Sequence, residues 1–164
     1  AHRALDKLGA QPAAILKAED RSPVWPAGIV GSISHSGSAA AAAVAYASKL
    51  RGIGLDIESD EGLMPDIMKM ICRPEEQTDD GELAKLLFCA KEAIYKCIYP
   101  LAGSYVDFQE MSVTLHSHEG RFTAASYSKN IDPELTASLK GKYQRDNGLL
   151  VTSAWLPLSS PKAG

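Results

Sequence analysis

The stretch Gly52-Ile53-Gly54-Leu55-Asp56-Ile57-Glu58 decides how the rest of the chain is read. Ile53, Leu55 and Ile57 alternate with Gly54, Asp56 and Glu58, the period-two mark of a strand with one buried face. Asp56 and Glu58 then project from the same side, about 7 Å apart at roughly 3.3–3.4 Å per residue. Like charges that close repel unless a positive group lies between them. One reading is a hard divalent cation with oxygen ligands, since Mg²⁺ takes one or two carboxylates plus substrate phosphates. The other is an exposed strand with two solvated acids. The stretch alone does not choose between them.

Around it lies a chain of 164 residues, 45% hydrophobic, enough to bury one core and most simply one domain over residues 1–164. No apolar run approaches ~20 residues, so no transmembrane helix and no membrane partner is expected. Ala1–Leu8 has no apolar signal-peptide core, lacks an initiator Met and starts inside a helical pattern, as a fragment of a longer protein would. Cys72, Cys89 and Cys97 are odd in number and lack metal spacing, which suits buried thiols in a reducing cytoplasm. The net charge of −3 offers no global positive field for nucleic acid, so an anionic ligand would be met locally.

Upstream, residues 1–8 read as a helix stopped by Gly9. Arg3 on it is a solvated charge or a phosphate ligand. Arg21–Gly28, with Pro23 and Pro26, reads as irregular, with Trp25 anchoring the loop to the core. Ile29–Ser34 reads as a strand and His35–Ser38 as a turn. His35 is either structural or, with Ser34, Ser36 and the turn amides, a phosphate ligand. Ala39–Ala47 has helical propensity, but its place between strand-like segments favours a small-residue strand.

Downstream, Pro65 opens a short helix, and Arg73–Glu76 begins another helix or turn. Glu82–Tyr99 is the longest helical pattern, with Leu83, Leu86, Leu87, Ala90, Ile94 and Ile98 on one stripe. Glu92 and Lys96 lie off the stripe and are neighbours, by themselves no more than a surface ion pair. Gln109–Leu115 and Arg121–Tyr127 form a hairpin, and Lys140–Arg145 and Leu149–Trp155 another around Asn147-Gly148. Asp132–Leu135 starts one helical turn, and the tail after Pro157 is expected to fray.

Ile33-Ser34-His35-Ser36, Gly54-Leu55-Asp56-Ile57-Glu58 and Phe88-Cys89-Ala90-Lys91-Glu92-Ala93-Ile94-Tyr95-Lys96 stand in that order. Each motif is weak alone, but together they resemble the 4′-phosphopantetheinyl transferases. The likeness is to the monomeric type that serves non-ribosomal peptide, siderophore and polyketide synthases. Trp25-Pro26-Ala27-Gly28 and Gly31–His35 look like its enterobactin-synthase-activating branch.

The resemblance implies an α+β fold with antiparallel strands packed against a long helix. It implies a cytoplasmic enzyme that moves phosphopantetheine from coenzyme A to a serine of an apo acyl or peptidyl carrier protein, releasing 3′,5′-ADP. Carried over by position, Asp56, Glu58 and Glu92 would surround Mg²⁺, bringing Glu92 within metal-bridging distance of Asp56. Glu92 would also be the general base, directly or through water, and Lys96 would neutralise phosphate charge. His35, with Ser34 nearby, would contact a phosphate of coenzyme A. Arg21 would lie near the adenine or 3′-phosphate, with Arg3 a weaker candidate of the same kind. Monomeric members have two similar halves, and this chain begins inside the first. Either the missing strand and helix lie upstream, or the chain self-associates as the short trimeric branch does. A Mg²⁺-dependent phosphohydrolase and a non-catalytic carrier-binding module are the competing readings.

Overall fold

The computed structural model describes residues 1–158. The chain opens with helix α1 (His2–Leu8), closed by Gly9 in the left-handed region as expected. Two short strands, β1 (Leu16–Lys17) and β2 (Pro23–Val24), pair with each other. Their pairing corrects the expectation that the proline-rich segment has no regular structure: Pro23 takes its place in a two-residue strand, where a missing N–H is tolerated. Strands β3 (Ile29–Ser36) and β4 (Ala39–Tyr46) form an antiparallel hairpin, so the alanine run is a strand despite its helical propensity. Then follow β5 (Leu50–Ser59), α2 (Pro65–Ile71), α3 (Gly81–Ala102), β6 (Met111–His116), β7 (Arg121–Ser126), α4 (Pro133–Ala137), β8 (Lys140–Asp146) and β9 (Leu149–Pro157).

The main sheet is antiparallel in the order β5-β9-β8-β7-β6, and α3 packs on it. This is the expected α+β arrangement of antiparallel strands against one long helix. Asp80 caps α3 by accepting from the backbone N–H groups of Glu82 and Leu83, and Gly103 ends it in the left-handed conformation at φ 63°. The buried positions of α3 exceed the single expected stripe: Cys89, Ala93 and Cys97 are buried beside Leu87, Ile94 and Ile98. The small residues let helix and sheet approach closely. A Cβ on Gly54 would lie 1.8 Å from the Ala93 carbonyl oxygen and 2.7 Å from the Cys97 nitrogen. One on Gly52 would lie 2.6 Å from the Cys97 carbonyl oxygen. Thr152 of β9 stitches the same helix to the sheet by donating to the Cys89 carbonyl at 2.7 Å.

The expectation of one buried face on β5 is therefore corrected. The Gly52–Gly54–Asp56 face is covered by α3, and Leu55 and Ile57 opposite are buried too. The predicted ends of the hairpin strands move by one or two residues, within ordinary end-fraying of such elements. The tail expected to fray lies, beyond Leu158, outside the described residues.

Candidate active site

β5 leaves one edge free of the main sheet, and β3 runs beside it. Leu55 N–H donates to the Ser32 hydroxyl at 3.0 Å, and Ile57 N–H donates to the Ser34 hydroxyl at 3.3 Å. The two bonds advance in step along both strands, so β3 and β5 run parallel there. Serine hydroxyls thus stand in for a backbone ladder and satisfy edge donors that would otherwise be buried without partners.

That alignment brings Ser34 to Asp56. The Ser34 hydroxyl donates to Asp56 Oδ1 at 2.8 Å. From α3, Lys96 Nζ donates to the same Oδ1 at 2.6 Å and to Ser34 Oγ at 3.2 Å. A hydroxyl has one donor and two acceptor positions. Ser34 uses all of them, on Asp56, Ile57 and Lys96, so its hydroxyl orients these groups rather than being free for a ligand. Lys96 keeps a third donor, and its side chain is 27% exposed while that of Asp56 is 4% exposed.

Asp56 Oδ2 is buried and has no hydrogen-bond partner. Glu92 lies one helical turn before Lys96. Its carboxyl is held above the usual glutamate range, first by burial, then by the Asp56 charge, with Glu58 adding and Lys96 opposing. Glu58 itself is paired with Lys85 at 3.0 Å. The three acids therefore feel one another's charge. Yet among the described residues no three His, Cys, Asp or Glu side chains are drawn into a metal-holding cluster. Lysines supply the counter-charge instead: Lys96 at Asp56 and Lys85 at Glu58. The orphaned Asp56 oxygen, close enough to Glu92 for the two charges to interact, is the kind of hard donor that a divalent cation such as Mg²⁺ takes.

Beside Lys96 opens a cavity of about 360 Å³ between α3 and the β1–β2 turn. Arg21, Trp25, Ile33, Tyr95, Lys96 and Tyr99 are among its walls. Two cations, Arg21 and Lys96, thus face one space in an acidic chain. Arg21 sits in the left-handed region at φ 70°, an uncommon place for a non-glycine residue. Its turn is tied down on both sides: Asp20 accepts from Ser22 at 2.7 Å and from the Tyr99 hydroxyl at 2.9 Å. Trp25 packs its ring where a Cβ on Gly31 would lie, only 2.6 Å away.

His35 is exposed and belongs to β3, which continues to Ser36 before turning at Gly37–Ser38. This corrects the expected turn at His35. The histidine projects from the face of β3 opposite Ser34, the side of Gly31 and Ile33, and is not itself among the walls of the cavity. Arg3 stays exposed on α1 and is not part of the cavity lining. Two groups escaped the sequence reading. Ser32 gave no chemical signal beyond its spacing from Ser34, and Lys91 looked like an ordinary off-stripe charge.

The chain matches the family described as 4′-phosphopantetheinyl transferase superfamily over residues 52–150, and the 4′-phosphopantetheinyl transferase N-terminal domain over residues 1–45. It is 40% identical to 4′-phosphopantetheinyl transferase Npt of Nocardia iowensis, the match covering 73% of this chain and 57% of that protein. It is 32% identical to 4′-phosphopantetheinyl transferase PptT of Mycobacterium tuberculosis, over 92% of this chain and 72% of that one. It is also 32% identical to 4′-phosphopantetheinyl transferase Svp of Streptomyces mobaraensis, over 93% and 67%. A solved holo-ACP-synthase from Plasmodium yoelii aligns with a TM-score of 0.46 and 20% identity, over 68% of this chain and 97% of that one. The matched family models and the three relatives are all transferases. The chain belongs to the 4′-phosphopantetheinyl transferase superfamily, and it spans between 57% and 72% of the length of these three relatives.

Proposed function

We propose that this chain transfers 4′-phosphopantetheine from coenzyme A to a serine hydroxyl of an apo acyl or peptidyl carrier protein. The observation that carries the reading is the Asp56–Lys96–Ser34 cluster, with Glu92 one turn away and Arg21 across the adjoining cavity. The serine oxygen bonds to the β-phosphorus of coenzyme A. The bond from that phosphorus to the oxygen bridging to the α-phosphate breaks, and 3′,5′-ADP leaves. Phosphoryl transfer asks for positioning and charge stabilisation more than for covalent help.

The residues divide that work. Lys96, steered by Asp56 and Ser34, sets an ammonium against the diphosphate. Arg21 meets the adenine or 3′-phosphate end, and His35, on the exposed face of β3, meets a phosphate. Arg3, outside the cavity lining, is a more distant contact of the same kind. Glu92 takes the serine proton, directly or through water, and burial brings its basicity closer to neutral pH. Asp56, Glu58 and Glu92 are the oxygens that would hold Mg²⁺, which when bound neutralises diphosphate charge. The setting proposed is the cytoplasm, and the carrier serves non-ribosomal peptide, polyketide or siderophore assembly. No helix among the described residues is long and apolar enough to cross a membrane.

The test is to follow 3′,5′-ADP release from coenzyme A with and without apo carrier protein, in Mg²⁺ and in chelator. Release that needs both carrier and metal supports the reading. Release without carrier means hydrolysis instead.

A further inference from the structure

Lys91 directly precedes Glu92 but points into the protein, its side chain 2% exposed. Its ammonium donates to Glu76 Oε2 at 2.6 Å, to the Ile71 carbonyl at 2.8 Å and to the Phe108 carbonyl at 3.0 Å. An ammonium has three donors. All are spent within the protein, and none is left for a substrate. Glu76 is used as fully: Oε2 also accepts from Arg73 N–H at 2.9 Å, and Oε1 accepts from Val113 N–H at 2.6 Å.

Such a pair is a poor source of stability, since apolar residues of similar volume often do as well or better. What it fixes here is position. One ammonium and one carboxylate tie the end of α2, the turn at Pro74–Glu76, the turn at Phe108–Glu110 and β6 to one point on α3. Gln109 reinforces the tie, its side-chain amide donating to the carbonyls of Met70 at 2.9 Å and Cys72 at 3.1 Å. The segment so held faces Glu92. Glu92, Tyr95, Tyr105, Val106, Asp107, Phe108 and Met111 line, with Lys91, a small cavity of about 70 Å³.

We infer that the Lys91–Glu76 pair is a positioning device. It holds the 105–111 wall at the distance from α3 that lets an uncharged part of the substrate lie beside Glu92. This rests on the function proposed above. There the cations Arg21 and Lys96 meet the phosphates, while the cavity at Glu92 offers two carboxylates, aromatic and apolar walls and no free cation, which suits the pantetheine arm rather than a phosphate.

The experiment measures calorimetric binding of coenzyme A and of 3′,5′-ADP, which lacks the arm. The proteins are wild type, Lys91→Met, the double variant Lys91→Met/Glu76→Gln, and Gln109→Ala. Lys91→Met alone leaves a lone buried carboxylate and lowers Tm, and the double variant recovers much of that loss. The device predicts that coenzyme A affinity stays about tenfold down in the double variant while 3′,5′-ADP binds as in wild type; misplacements of about 1 Å carry effects of this order or larger. Gln109→Ala shifts the ratio the same way by less, and it decides the matter if the Lys91 variants do not fold. Recovery of coenzyme A affinity together with Tm, or equal loss for both ligands, overturns the inference. A wild type that binds 3′,5′-ADP as tightly as coenzyme A also overturns it. A wild type that binds neither contradicts the functional reading itself, and the inference falls with it.

Discussion

Asp56 Oδ1 accepts a 2.6 Å hydrogen bond from Lys96 Nζ, joining the edge strand β5 to the face of α3. The contact depends on close backbone approach two residues earlier, at Gly54. The carboxylate is buried and the lysine side chain is about a quarter exposed, so the pair presents its positive end outward.

Breaking that pair from the lysine side leaves a buried carboxylate without its cation. Lys96→Met is expected to lower stability by about 1–3 kcal/mol, the cost of an unsatisfied buried polar group. It should also abolish most transfer. Lys96→Met/Asp56→Asn should recover stability in urea unfolding without recovering transfer. Recovery of both would make the pair merely structural.

Glu92→Gln probes a carboxyl whose folded value is raised by burial. A raised carboxyl binds more protons folded than unfolded, so stability falls as pH rises from the unfolded value toward the folded one. Glu92→Gln removes that penalty. Without divalent cation, its Tm should exceed that of wild type at pH 7, and the gain should vanish below about pH 4, near the ordinary glutamate value. Transfer should drop about 10²–10⁴-fold even in saturating Mg²⁺, the usual worth of a general base. The acid limb of the pH–rate profile should go with it. A fully active variant would leave the proton to water or to the carrier.

Gly54→Ala would place a methyl 1.8 Å from a backbone oxygen of α3, which no side-chain rotation relieves. The helix must lift off β5, taking Lys96 and Glu92 with it. Destabilisation of about 1–3 kcal/mol, typical of overpacking, should come with a loss of transfer larger than the stability change explains. Wild-type activity in this variant would show that the close approach does not set the site.

Arg21→Ala and His35→Ala should raise KM for coenzyme A and leave kcat near wild type, since both would touch parts that do not react. Ser34→Ala should do the reverse, because its hydroxyl orients Asp56 and Lys96. Steady-state kinetics with varied coenzyme A separates the two patterns. A Ser34→Ala enzyme altered only in KM would return that hydroxyl to ligand binding.

Much of this was legible in the sequence because it was periodic. The alternation at Ile53–Ile57 marked β5, the three- and four-residue steps marked α3, and Asn147-Gly148 marked the last hairpin. The alanine strand β4 was readable only from its neighbours, since propensity pointed the other way. What escaped depends on pairing between distant segments. Nothing local says that Ser32 and Ser34 would serve as acceptors for the edge of β5. Nothing local says that Gly52 and Gly54 would admit a helix onto the face expected to be open. Lys91 and Lys96 share one helix and one residue type, and only the fold buries the first and leaves the second facing a cavity.

The central claim is tested most directly by the intact mass of an apo carrier protein after incubation with this chain, coenzyme A and Mg²⁺. The account predicts that the carrier gains one phosphopantetheine group, mapped by fragmentation to a single serine, and that Asp56→Ala gives no gain. An unmodified carrier accompanied by free phosphopantetheine in solution would contradict it and make the site hydrolytic.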